Sequence, residues 1–130
     1  MNRTVLLIED NAQNRYLVTF LLERSGYRVI TAVDGPEGIR KALELLPDLI
    51  LLDIQLPAMD GYAVARALRA IPALQQTPIV AVTSYAMVGD REKSLGAGCN
   101  GYIEKPINPD TFVAEIGRFD PGPATDRGAT

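Results

Sequence analysis

Apolar and polar positions change period several times along the chain. "TVLLI" (4–8) is a short β-branched and apolar run that ends in Glu9-Asp10. Such a run reads as a strand covered on both faces. From Asn11 the spacing becomes helical, with Ala12, Leu17, Phe20 and Leu21 as the apolar positions, and it stops at Ser25-Gly26. "YRVITA" (27–32) alternates as a strand does. Asp34-Gly35 makes a turn, and Pro36 suits the first turn of a helix that runs to about Leu46 and stops at Pro47-Asp48. "LILL" (49–52) is a third strand. Asp60 can cap a third helix, built on Tyr62, Val64, Ala65 and Leu68 and ending near Ile71-Pro72. "PIVAVT" (78–83) is a fourth strand. A helix from about Met87 to Leu95 follows and closes at Gly96-Ala97-Gly98. "GYIEKP" (101–106) holds a short fifth strand, and Asp110 to Gly117 predicts a last helix capped by Asn108 or a neighbour.

Strands alternating with helices imply an α/β fold with a parallel sheet covered on both faces. Right-handed crossovers leave few arrangements. Five βα units favour a doubly wound sheet of five strands in the order 2-1-3-4-5, with a switch point between strands 1 and 3 where ligands bind at the strands' carboxyl ends. Residues 1–119 form one domain on this reading, and 120–130, "DPGPATDRGAT", read as a flexible tail.

Composition narrows the chemistry. The chain has 130 residues with a formal net charge of −3 and contains no Lys/Arg run, which gives no support to binding nucleic acid by bulk charge. It has no histidine, which removes most zinc sites and every triad that uses one, and its single cysteine, Cys99, cannot pair internally. The apolar run near Met1 is too short for a signal peptide or a membrane span, so the expected compartment is the cytoplasm.

The residues just past the strand ends carry the information. After strand 1 come Glu9 and Asp10, after strand 3 Asp53, after strand 4 Thr83 and Ser84, and after strand 5 Glu104, Lys105 and Pro106. Alone, each has a plainer reading as a turn residue, a helix cap or a solvated side chain. Together they place three carboxylates, hydroxyls and one ammonium at a single edge. Carboxylates crowded in one cleft resist joint ionisation without a cation. Mg²⁺ prefers oxygen ligands and takes one or two carboxylates beside waters and phosphate oxygens. Asp10 and Asp53 are the candidate direct ligands, Glu9 a ligand through a water, and the backbone carbonyl of Gln55 a further one. Mg²⁺, the Lys105 ammonium and a hydroxyl make a cradle for phosphoryl oxygens, with the Asp53 carboxylate as nucleophile.

With these residues in place, the chain resembles a response-regulator receiver domain, the phosphoacceptor module of two-component signalling. "VLLIEDN" (5–11), "PDLILLDIQLPAMDG" (47–61), "TPIVAVTS" (77–84) and "GAGCNGYIEKPI" (96–107) carry the resemblance across residues 4 to about 119. It implies that Asp53 is the phosphoacceptor and that Glu9 and Asp10 are the acidic pair organising Mg²⁺. Thr83 would be the hydroxyl that moves toward the phosphoryl group, Lys105 its ammonium partner, and Tyr102 the aromatic that turns inward as Thr83 moves. Pro106 would follow a bond that is often cis. Gln55 and Tyr85 would tune the phosphate's lifetime, and "TSYAMVGD" (83–90) would be the mobile element. Glu9 stands where many receivers have Asp.

The implied partners are a histidine kinase or a phosphotransfer histidine upstream. Downstream, a protein target would read the surface of the fourth helix, fifth strand and fifth helix, with neither nucleic acid nor membrane bound directly. The stretch "VTSYAMVGDREKSLGAGCNGYIEKPI" (82–107) resembles single-domain regulators of the cell-cycle type and receivers of hybrid kinases. Both a stand-alone receiver and one excised from a longer chain fit. Beyond catalysing its own phosphorylation and slow dephosphorylation, such a protein is a signalling phosphoacceptor, not an enzyme. A haloacid-dehalogenase-type phosphatase would instead want a DxD on the first strand. A flavodoxin would want a Ser/Thr/Gly-rich loop where Glu9-Asp10 stands. A receiver-like scaffold that works without phosphorylation is the third alternative.

Overall fold

A computed structural model of the chain describes residues 3–84 and 90–120. In chain order its elements are β1 (Thr4–Ile8), α1 (Ala12–Arg24), β2 (Arg28–Ala32), α2 (Gly35–Leu45), β3 (Leu49–Asp53), α3 (Gly61–Arg69), a 3₁₀ turn (Pro72–Leu74), β4 (Ile79–Thr83), α4 (Asp90–Gly96), β5 (Gly101–Glu104) and α5 (Phe112–Phe119). All strand pairs are parallel, and the order is β2-β1-β3-β4-β5, as the sequence pattern predicts.

Alternation along the strands sorts two apolar layers. Val5, Leu7, Leu49, Leu51, Val80 and Val82 pack under Val18 and Leu22 of α1 and Phe112 and Ile116 of α5. Leu6, Ile8, Ile50, Leu52 and Ala81 pack under Ala42 of α2 and Val64, Ala65 and Leu68 of α3. All five residues of β3 are buried, as befits the central strand.

Asp60 caps α3 as the sequence suggests, and Asn11 and Asp34 cap α1 and α2 in the same way. Asn11, Asp34 and Asp60 each accept a hydrogen bond from a backbone N–H three residues on. The end of α2 falls where expected, and the boundaries of α3 and α5 differ. α2 ends because Leu46 takes a left-handed backbone (φ 46) and returns its N–H to Ala42, with Pro47 following. α3 stops at Arg69, and Pro72 opens the 3₁₀ turn. α5 begins at Phe112, not Asp110, because the Asn108 side chain captures the Asp110 N–H at 3.0 Å and shapes residues 108–111 into a turn. Phe20 departs from the expected core role as well. It is 46% exposed and stacks on Tyr16, while Val18 and Leu22 supply the buried stripe of α1. The expected start of the fourth helix at Met87 lies outside the described residues, as do most of the 83–90 segment and all but the first residue of the 120–130 tail.

Candidate phosphoacceptor site

The same alternation that sorts the core also aims the site. Glu9 continues the face of Val5 and Leu7, Asp53 that of Leu49 and Leu51, and Lys105 that of Ile103. All three therefore emerge on the α1/α5 side at the sheet's carboxyl edge. Glu9 and Asp53 are each 2% exposed. Lys105 Nζ lies 3.1 Å from Glu9 Oε1 and 3.2 Å from Asp53 Oδ2. Asp10 is exposed at the rim, and carboxylate oxygens of Glu9, Asp10 and Asp53 lie within 4.8 Å of one another.

Backbone groups fix these carboxylates. Asp53 Oδ1 accepts from the Gln55 N–H at 2.9 Å, which leaves Oδ2 to the lysine. Glu9 Oε2 accepts from the Asn11 N–H at 3.2 Å. The loop that supplies Gln55 is drawn tight behind the site. Gly61 donates to the Ile54 carbonyl, and a Cβ there would sit 2.4 Å from the Ile54 Cα. Ala58, in the same loop, holds a left-handed backbone (φ 65). The Gln55 side chain reaches the neighbouring loop, where its Oε1 accepts from the Ser84 N–H at 3.4 Å, while its buried Nε2 has no hydrogen-bond partner.

The electrostatics show a site short of positive charge. Burial, reinforced by the hydrogen bond and charge of Asp53, pushes the Glu9 carboxyl up to about 7. Burial works against the Lys105 ammonium, but Asp53 and Glu9 outweigh it and hold its pKa above the ordinary value. One ammonium thus faces three clustered carboxyl groups. A compact, all-oxygen donor set with this excess of negative charge suits a hard divalent cation.

Thr83 ends β4, is 1% exposed, and accepts the Lys105 N–H at its carbonyl. Tyr102 is half-buried on β5 in register with Ala81, so alternation puts it on the same face as Thr83. It also lines a groove with Leu95, Glu104, Pro106 and Phe119 between α4, β5 and α5. The Lys105-Pro106 bond is cis. Tyr85 lies outside the described residues. The structure therefore gathers Glu9, Asp10, Asp53, Gln55 and Lys105 into one cleft, with Thr83 and Tyr102 on the adjoining strands.

Sequence reading missed Arg15. Its Nη1 donates to the backbone carbonyls of Glu9 at 2.9 Å and Asp10 at 2.8 Å. A signal existed. α1 carries no acid in its first turn, and a cation one turn further on runs against the helix dipole unless it has local acceptors.

Comparison with known proteins agrees with this geometry. The profile of the response regulator receiver domain matches residues 5–117. The polar-differentiation response regulator DivK of Brucella ovis is 42% identical over 116 residues, which span 89% of this chain and 94% of that one. Among solved structures, the chemotaxis response regulator CheY4 of Vibrio cholerae superposes with a TM-score of 0.88 at 30% identity, covering 92% of this chain and 99% of that one. The receiver domain of the sensor histidine kinase PA1611 of Pseudomonas aeruginosa, solved with a magnesium ion in its active-site cleft, gives 0.86 at 36% identity over 94% and 100% of the two chains. From the strand-end constellation, the sheet order and this sustained likeness, the chain belongs to the response regulator receiver domain family.

Proposed function

We propose that the chain takes a phosphoryl group from a histidine kinase or phosphotransfer histidine onto Asp53, in the cytoplasm, and that the modified form acts on a partner protein. The observation that carries this reading is the Asp53 carboxylate itself. It is buried at the end of the central strand and held between the Gln55 N–H and Lys105, with two more acids beside it.

The oriented carboxylate oxygen attacks the phosphorus of a phosphohistidine. The O–P bond forms, the P–N bond breaks, and the imidazole leaves with the electron pair and takes a proton from solvent. Lys105, already within ion-pair distance of Asp53, turns to the phosphoryl oxygens as charge moves onto them. Asp10, Asp53 and the Gln55 carbonyl would hold Mg²⁺ directly and Glu9 through a water, and the ion supplies the positive charge that these acids lack.

The product adds a charge of roughly −1.5 to −2 at this edge. Thr83 is drawn toward it, Tyr102 fills the space that Thr83 leaves, and the α4–β5–α5 groove changes shape for the partner. Gln55 beside the nucleophile, and Tyr85, two residues past Thr83 in the sequence, set how readily water reaches the acyl phosphate.

The test is incubation with Mg²⁺ and a small acyl phosphate, followed by intact mass. Wild type gains one phosphoryl adduct. Asp53→Asn gains none, and neither form turns over an unactivated phosphomonoester. An undiminished adduct on Asp53→Asn overturns the assignment.

A further inference from the structure

Glu9 and Asp10 are neighbours in sequence, and neighbours in an extended run point to opposite faces. Their carboxylate oxygens nevertheless meet those of Asp53 within 4.8 Å. The chain must therefore turn as it leaves β1, and something must hold the turn. The Glu9 N–H still belongs to the sheet, donating to Ala32 at 2.9 Å. Beyond that point the two carbonyls that set the direction of the peptides, those of Glu9 and Asp10, converge on a single atom, Nη1 of Arg15, at 2.9 and 2.8 Å. Side chains on a helix lean toward its N-terminus, so a long residue in the second turn of α1 reaches back over this segment. One donor shared by two successive carbonyls closes a small ring across the 9–10 peptide and restricts the rotations that aim both carboxylates.

We propose that Arg15 is a positioning residue for the acidic pair. By pinning the Glu9 and Asp10 carbonyls it holds the two carboxylates in the geometry that a divalent cation requires, and so sets the affinity of the site for that cation. This rests on the phosphoacceptor reading above. Arg15 touches neither Asp53 nor the phosphoryl group in this scheme. Its effect passes through the backbone of residues 9 and 10.

Calorimetric titration with Mg²⁺ alone tests it, on the full chain, for wild type, Arg15→Met, Arg15→Lys and Arg69→Ala, with metal-free unfolding curves for each. Arg15→Met should weaken Mg²⁺ binding about tenfold, the scale on which partners of metal ligands act. Arg15→Lys, which restores a cationic donor, should recover part of the loss. At saturating Mg²⁺ the extent of adduct formation in Arg15→Met should return to the wild-type level, so the defect lies in half-saturation and not in the plateau. Arg69→Ala, destabilised at the far end of the sheet, should keep wild-type affinity. The inference is overturned if the Arg15→Met isotherm superimposes on wild type, or if Arg69→Ala loses affinity to the same degree, which would mark general loosening. If wild type itself neither binds Mg²⁺ nor gains an adduct at Asp53, the phosphoacceptor reading fails; if wild type does both and Arg15→Met matches it, only the role of Arg15 falls.

Discussion

The two ends of the sheet use the same kinds of charge in opposite ways. At the amino end Arg3, Asp48, Asp120 and Arg69 close connections between elements. Arg3 donates to Asp120 through Nε and Nη2 at 3.1 and 2.8 Å, and it also pairs with Asp48, whose other oxygen takes the Thr4 N–H. Tyr27 completes the Asp120 carboxylate. Arg69, without a carboxylate, spends its guanidinium on the carbonyls of Leu74, Gln75, Thr77 and Gly98 and on Asn100 Oδ1. At the carboxyl end three acids crowd one lysine, and burial holds Glu9 well above the ordinary carboxyl range. The amino end is organised to lower the energy of the fold. The carboxyl end holds an excess of negative charge that a cation can neutralise.

The contrast breaks most visibly at Arg69. Arg69→Ala strands several carbonyls that no other side chain reaches in these bonds, and it should lower stability by about 3 kcal/mol, read from urea unfolding. A variant within a few tenths of wild type would mean that the amino end is not the stabilising one. Next comes Cys99, buried beside Arg69. Burial pushes its thiol from 9.0 up to about 11. A raised thiol pKa means that the folded state keeps a proton the unfolded chain releases. Its contribution is therefore whole below pH 9 and fades as pH rises through 11, by about 3 kcal/mol. Cys99→Ala should lose that alkaline slope, measured as unfolding free energy at stepped pH. The smallest effect has the opposite sign. Glu9→Gln removes a buried charge that the fold holds unwillingly at pH 8, so the metal-free protein should gain about 1 kcal/mol. Mg²⁺ should then stabilise the variant less than wild type, and a thermal-shift series with and without Mg²⁺ reads both. A loss of metal-free stability in Glu9→Gln would erase the asymmetry between the two ends.

Much of this was visible in the residues. Continuous apolar runs such as Leu49–Leu52 mark strands buried on both faces, and acids placed directly after them are conspicuous because burial disfavours their charge. The caps at Asn11, Asp34 and Asp60 follow from local chemistry. What pattern could not reach depends on neighbours distant in sequence or on backbone detail. Periodicity shows which residues of α1 are apolar but not which of them finds a partner, so Phe20 was misplaced and Val18 overlooked. The late start of α5 turns on one Asn108 side-chain bond. Arg15 and Arg69 donate to carbonyls, and a carbonyl is present at every position, so no residue identity announces the partner.

The bond between Arg3 and Asp120 has a consequence for how such a domain is wired into anything larger. It ties the start of the first strand to the residue after the last helix, at the end of the sheet opposite Asp53. Residues 3 and 120 therefore share one port. A short linker joining those positions should allow circular permutation with new ends opened elsewhere. A cargo fused at the port stands clear of the cleft that holds Asp53. Any change at Asp53 then has to cross the thickness of the domain to arrive there.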